Sequence, residues 1–201
     1  MDALILLMPI LGFVWVFKMR EERRRVMLLA SHLHQTSIER LMERITTGYN
    51  KALEAADTAQ REAIWEGLQA DEQQLGEQLA RLAESVAREP NDTTRVCRIA
   101  LPWLDTLMPQ TTFALADALR LHAQGLQDVA ANTAGLSLKD RAFQFLAEML
   151  LMQHTCHWFC RSRTIASARL VARHQTAYSQ VVEAVSAPTR RAYRQLVGES
   201  A

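Results

Sequence analysis

The chain has 201 residues with only seven glycines and five prolines, and its net charge is +1. That length gives one domain, or two small ones, with ample chain for a core. A charge so near zero, without interleaved stacking aromatics, argues against nucleic acid as a partner, and three cysteines are too few for a disulfide scaffold. Ala, Leu, Arg, Glu and Gln are plentiful and no stretch of β-branched residues alternates, so the sequence predicts an all-α fold with no sheet.

The chain opens on Ala3–Phe17, ALILLMPILGFVWVF, fifteen residues without a charge. As helix this run is about 22 Å long, short for a hydrocarbon core of about 30 Å. Lys18 can reach the headgroups and Met1 and Met19 extend the span. Pro9 is tolerable, because membrane helices accept proline. The bases Lys18, Arg20, Arg23, Arg24 and Arg25 follow the run, whereas a cleaved signal peptide carries its bases in front. The positive-inside rule then predicts a single-pass anchor in the inner (plasma) membrane, with the N-terminus out and the rest of the chain in the cytoplasm. The odd number of cysteines agrees with a reducing compartment. The lipid bilayer is thus the first expected partner.

Three segments are expected: an anchor over 1–19, a long helical hairpin over 20–89 and a helical bundle over 90–201, with the last two able to form one unit. Val26, Ala30, Leu33, Ser37, Leu41, Ile45, Tyr49, Ala52 and Ala56 recur at steps of three and four. This spacing predicts one unbroken helix from residue 2 to about 56, membrane at its start and amphipathic after. A second helix starts at Asp57 or Thr58, ends near Glu89-Pro90, and lays Ala59, Ala63, Trp65, Leu68, Leu75, Leu79, Leu82 and Val86 on one face. Pro102 and Pro109 break the next stretch into one or two short helices around Trp103 and Leu107. A helix from Thr111 or Thr112 to about Asn132 comes next. Ser137-x-x-Asp140 has the form of a capping box, opening a helix that runs to His174 or beyond, and a tail helix begins near Pro188.

Charge is spread unevenly. Residues 1–38 hold five bases and three acids, 39–92 six bases and twelve acids, and 93–201 twelve bases and seven acids. An acidic middle and a basic end can attract one another within a molecule or between copies.

His154, Cys156, His157 and Cys160 crowd into seven residues. Zinc accepts such ligands, yet structural zinc sites pair one short knuckle with a second, and Cys97 is the only other thiol. Buried thiols and hydrogen-bonded histidines beside Trp158 and Phe159 are the plainer reading. A thiol or histidine redox or metal sensor built on Cys156 and Cys160 is the alternative function. No phosphate-binding glycine loop, nucleophile elbow or H-E-x-x-H helix occurs, so neither a reaction nor a cofactor is assigned.

The arginines of the last third carry the candidate interaction site. On one continuous helix, at about 100° per residue, Arg161, Arg169, Arg173 and Arg163 fall at roughly 0°, 80°, 120° and 200°. They share a broad exposed side, opposite a close-packing side of Cys160, Thr164, Ser167, Ala168, Val171 and His174. Such a basic face is expected to meet an acidic surface, either residues 39–92 of another copy or an external protein.

A short reverse anchor, an all-helical cytoplasmic part and the stretch Leu150–Leu170, LLMQHTCHWFCRSRTIASARL, together resemble the entry- or surface-exclusion proteins of IncI-type conjugative plasmids. The resemblance implies a non-enzymatic protein of the recipient inner membrane. It would block redundant plasmid transfer by recognising a membrane protein of the donor's conjugative transfer apparatus. No motif matches residue by residue, so the resemblance assigns no functional residue.

Overall fold

The computed structural model describes the backbone of residues 2–98 and 109–199, and the side chains of 12–98 and 110–199. The short helices expected around Trp103 and Leu107 lie outside the described residues. The described chain is helical almost throughout: α1 (Asp2–Leu33), α2 (Ile38–Glu54), α3 (Thr58–Val86), a single turn α4 (Asn91–Thr94), α5 (Leu115–Ala130), α6 (Leu138–Cys160), α7 (Arg163–His174), α8 (Tyr178–Ala184) and α9 (Ala187–Val197).

The expected unbroken helix over 2–56 is divided in two at His34–Ser37. The Thr36 hydroxyl donates to the Leu33 carbonyl at 2.8 Å. The Ser37 amide donates to Gln78 Oε1 at 2.7 Å, and Gln78 Nε2 returns a bond to Ser37 Oγ. Hydroxyl side chains that compete for the backbone end helices, and here a glutamine on α3 holds the break. The apolar spacing holds in α2, where Ile38, Leu41, Met42, Ile45, Tyr49 and Ala52 are buried; outside it, Val26, Ala30 and Ala56 of the expected stripe are exposed, and α1 turns Leu29 inward instead.

Asp57 caps α3, its carboxylate accepting the Ala59 amide at 3.2 Å. α3 buries most of the face that its spacing predicts, from Trp65 and Leu68 through Leu75, Leu79 and Leu82 to Val86, but Ala59 and Ala63 in its first turns are exposed. It packs against α2 on one side and α5 on the other. Both approaches are close. A Cβ at Gly48 would stand 2.7 Å from Leu68 Cδ2, and one at Gly76 would stand 2.7 Å from Gln127 Cγ.

The expectation of no sheet fails at one place. Arg95–Cys97 and Thr112–Ala114 pair antiparallel, with Val96 opposite Phe113. Both of these side chains are buried, and Phe113 meets Trp158 edge-on with ring centroids 5.2 Å apart. Cross-strand apolar contact of this kind stabilises even a short ladder. Its second strand takes the residues expected to begin the next helix, so α5 starts at Leu115.

Ser137 opens α6 as expected, its Oγ accepting the Asp140 amide at 3.2 Å. The helix expected to reach His174 instead stops at Cys160. Arg161 leaves helical geometry with φ −135° and ψ −89°, and Ser162 caps a new helix by accepting the Ile165 amide at 3.3 Å. α7 turns back along α6 and ends at Gln175, φ 51°. α6 is thereby the central helix, touching α5, α7 and α8. Pro188 lies in the first turn of α9, which packs on α5.

Candidate interaction surface

α1 is two different helices end to end. From Glu22 onward it lies on the bundle through Glu22, Arg25, Leu29 and His32, which recur at steps of three and four on one face. Glu22 is buried and accepts an ion pair from Arg161. Arg25 holds Glu21 at 3.1 Å and stands over the Phe159 ring, 5.7 Å from its centroid. Leu29 joins the core. The His32 ring bridges Ser85 Oγ at 3.0 Å and Glu89 at 3.1 Å.

Ahead of Glu22 the helix leaves the bundle. Phe13, Trp15 and Val16 are 67%, 64% and 57% exposed, and Phe17 and Met19 are also exposed. Successive positions on a helix point in different directions, so Phe13–Phe17 turns apolar side chains several ways at once, with Val14 half-buried. The side chains of the earlier part of the run, Ala3–Leu11, lie outside the described residues. Among the described residues, no helix is long and apolar enough to cross a membrane.

The expected flanking bases split into two groups. Lys18 lies 4.0 Å from Glu22, and Arg24 and Arg25 pair with Glu21. Arg20 and Arg23 are exposed.

The expected arginine arc is taken apart by the break at Arg161–Ser162. Arg161 turns to Glu22 of α1. Arg163 is half-buried, pairs with Glu199, and lies over Trp158 and Tyr178 at 5.3 and 4.8 Å from their ring centroids. It is a structural strut rather than a surface contact. Arg169 and Arg173 remain exposed on α7. The expected close-packing side is wrong as well. α7 buries Ala166 and Leu170, while Thr164, Ala168, Val171 and His174 face outward. In the tail, Arg190 and Arg194 both bind Glu183.

His154, Cys156, His157 and Cys160 do not converge. Among the described residues, no three His, Cys, Asp or Glu side chains are placed to hold a metal ion. His154 Nε2 meets Ser167 Oγ at 3.0 Å, and its ring packs 4.5 Å from that of Tyr178. Burial, then the Arg163 charge, pushes its pKa down to about 3. Burial, with Arg169 and Arg173 nearby, lowers that of half-buried His157. The Cys156 thiol points at Met152 Sδ at 4.0 Å, and burial pushes its pKa up to about 12. Burial raises Cys160 to about 11 against the opposing charges of Arg161, Arg25 and Arg169. Thiols held in this form are poor nucleophiles and poor metal ligands.

Sequence reasoning missed the buried polar groups. Tyr49 donates to Glu72 at 2.7 Å with Arg141 at 3.4 Å, tying α2, α3 and α6 together. Burial raises the Glu72 pKa against the Tyr49 bond and the Arg141 charge. Glu148 accepts the Ser186 amide at 3.0 Å, and burial still carries it to about 7. His122 lies 2.9 Å from Thr155 Oγ1, pushed down to about 3 first by burial. A cleft of about 470 Å³ opens where the α1–α2 turn faces α3, lined by His32, His34, Arg40, Gln78, Arg81 and Ser85 among others. Its lining is polar, which suits water or a small anion better than an apolar ligand.

Compared with models of protein families, with curated proteins and with solved structures, the chain finds no match.

Proposed function

We propose that the chain is a non-enzymatic helical interaction protein, anchored by Ala3–Phe17 in an inner membrane with its bundle in the cytoplasm. The observation that carries this reading is the exposure of the large apolar side chains Phe13, Trp15, Val16 and Phe17 of α1. Leaving such a segment in water is costly, at roughly 1.5–3 kcal/mol for each large apolar side chain. The run is short for a full span, and Lys18 and Arg20 are placed to reach the headgroups on the cytoplasmic side. Binding rather than catalysis is favoured because Glu72, Glu148, His122 and His154 are closed inside the bundle and do not line the cleft.

The most specific form of this function is exclusion of redundant conjugative transfer through contact with a membrane component of the transfer apparatus. It is supported by the resemblance of the overall plan and of Leu150–Leu170. Self-association of the bundle belongs to the same reading, through the acidic middle and basic end.

Flotation of the full chain with membranes tests the anchor. The wild type should float after an alkaline wash, and a chain lacking residues 3–17 should remain in the dense fraction. Equal flotation of both would overturn the anchor. Recipient cells producing the chain should take up an IncI-type plasmid at lower frequency, with an unrelated plasmid unaffected. Unchanged uptake of the IncI-type plasmid would remove exclusion and leave the anchor standing.

A further inference from the structure

We infer that α7 is a second membrane contact, an interfacial helix that rests on the anionic headgroups of the bilayer that α1 enters. The inference depends on the membrane reading of α1 and adds to it a surface and its ligand, anionic phospholipid.

The first support is position. Arg161, at the turn into α7, pairs with Glu22 of α1, and Arg25 of α1 donates to the Phe159 carbonyl at the end of α6. These two contacts join residues 139 and 134 positions apart in sequence. The charges of Arg161, Arg25 and Arg169 all oppose the effect of burial on the Cys160 thiol at the end of α6. From Glu22 to Phe17 is five residues, about 7.5 Å along a helix. The start of α7 therefore lies at the end of the bundle from which the apolar half of α1 emerges.

The second support is the character of the outer face. α7 buries Ala166 and Leu170 inward. Outward it presents Ile165 and Val171, 40% and 53% exposed, with Ala168 and Ala172 between them and Arg169 and Arg173 along one edge. α7 contains no acid. Among the described residues, Arg169 and Arg173 have no ion-pair partner, unlike Arg161, Arg163, Arg190 and Arg194. An exposed apolar strip edged by arginines is the pattern of helices that lie in the headgroup layer, the strip entering the acyl boundary and the bases meeting phosphate. Arg20 and Arg23 on α1 extend the same positive field toward the bilayer. An acidic protein surface would complement the arginines and leave Ile165 and Val171 unused.

The test follows α7 separately from the anchor. The full chain carrying Val171→Cys is labelled there with an environment-sensitive fluorophore. It is then reconstituted into vesicles of phosphatidylcholine alone or mixed with phosphatidylglycerol. In the anionic vesicles the emission should shift to the blue and be quenched by a quencher attached in the headgroup region; in neutral vesicles it should not. Arg169→Gln with Arg173→Gln should lower the docked-to-undocked ratio roughly 25-fold, about fivefold for each base. Restoring charge with Arg169→Lys and Arg173→Lys should recover most of it, which a folding defect would not. Equal emission in the two vesicles, or an unchanged glutamine variant, overturns the inference while co-flotation leaves the anchor intact. Concentration-dependent energy transfer between labelled copies, without headgroup quenching, would overturn it in favour of a second copy as the occupant. A chain that fails to float overturns both readings.

Discussion

Glu148→Gln should stabilise the protein above neutral pH and do little to it in acid. Glu148 is fully buried, and its Oε1 accepts the Ser186 amide, a bond that a glutamine oxygen can keep. Its Oε2 makes no hydrogen bond of ordinary geometry, and the Thr189 and Ser186 hydroxyls beside the carboxyl only partly offset its burial. Burial raises its pKa from 4.5 to about 7. A carboxyl whose folded pKa lies above its unfolded one favours folding below the unfolded value, and that contribution is lost as pH rises through the folded one. Over this window the loss amounts to about 3 kcal/mol, at about 1.4 kcal/mol for each pH unit. The glutamine of the variant carries no charge to bury, so the difference between the two proteins should be near zero at about pH 4 and about 3 kcal/mol in favour of the variant at about pH 8. His122 and His154, both lowered to about 3, destabilise either protein below about pH 6.5, and their effect cancels in the comparison. Urea unfolding of the full chain in mild detergent, followed by circular dichroism at a series of pH values, measures it. A difference that does not change with pH, or a variant less stable at about pH 8, would refute the argument.

Three further outcomes are expected. A reporter active only after export, fused to the C-terminus, should stay silent, and moving the bases of Lys18–Arg25 ahead of Ala3 should favour inversion; activity on the unmodified chain would reverse the topology. Cys156 and Cys160 should react with a disulfide reagent at about pH 8 far more slowly in the folded protein than in urea, since burial raises both thiols; fast native reaction, or one equivalent of bound zinc, would revive the sensor reading. Gly125→Ala should destabilise by about 1–3 kcal/mol, the cost of overpacking a core, because its Cβ would stand 2.5 Å from Thr189 Oγ1 and 2.7 Å from Glu148 Oε2; a neutral effect on the unfolding midpoint would count against that close approach of α5 to α6 and α9.

What the sequence by itself determined is local and periodic. The buried faces of α2 and α3 follow from apolar residues at steps of three and four, because a helix repeats every 3.6 residues whatever surrounds it. The starts at Asp57 and Ser137 follow from side chains that accept amides of their own helix ends, and the start near Pro188 from a ring already set to helical φ. The apolar run before Lys18 needs no tertiary contact to be recognised. What the tertiary structure decided is where long helices stop and which charges remain free. Thr36 and Ser37 are tolerable inside a helix, and only Gln78, forty-one positions away from Ser37, makes the break there lasting. The break at Arg161 swings α7 back along α6. Helical arithmetic carried across that break put the wrong residues inward, and it could not assign Arg161 to Glu22 or Arg163 to Glu199. Ion pairs between distant segments have no periodicity, so a charge count reveals seven arginines between residues 161 and 194 without revealing which of them are already bound. Burial of Glu148 against Ser186, likewise, depends on how α6 meets the turn before α9, and that meeting leaves no trace in the local pattern.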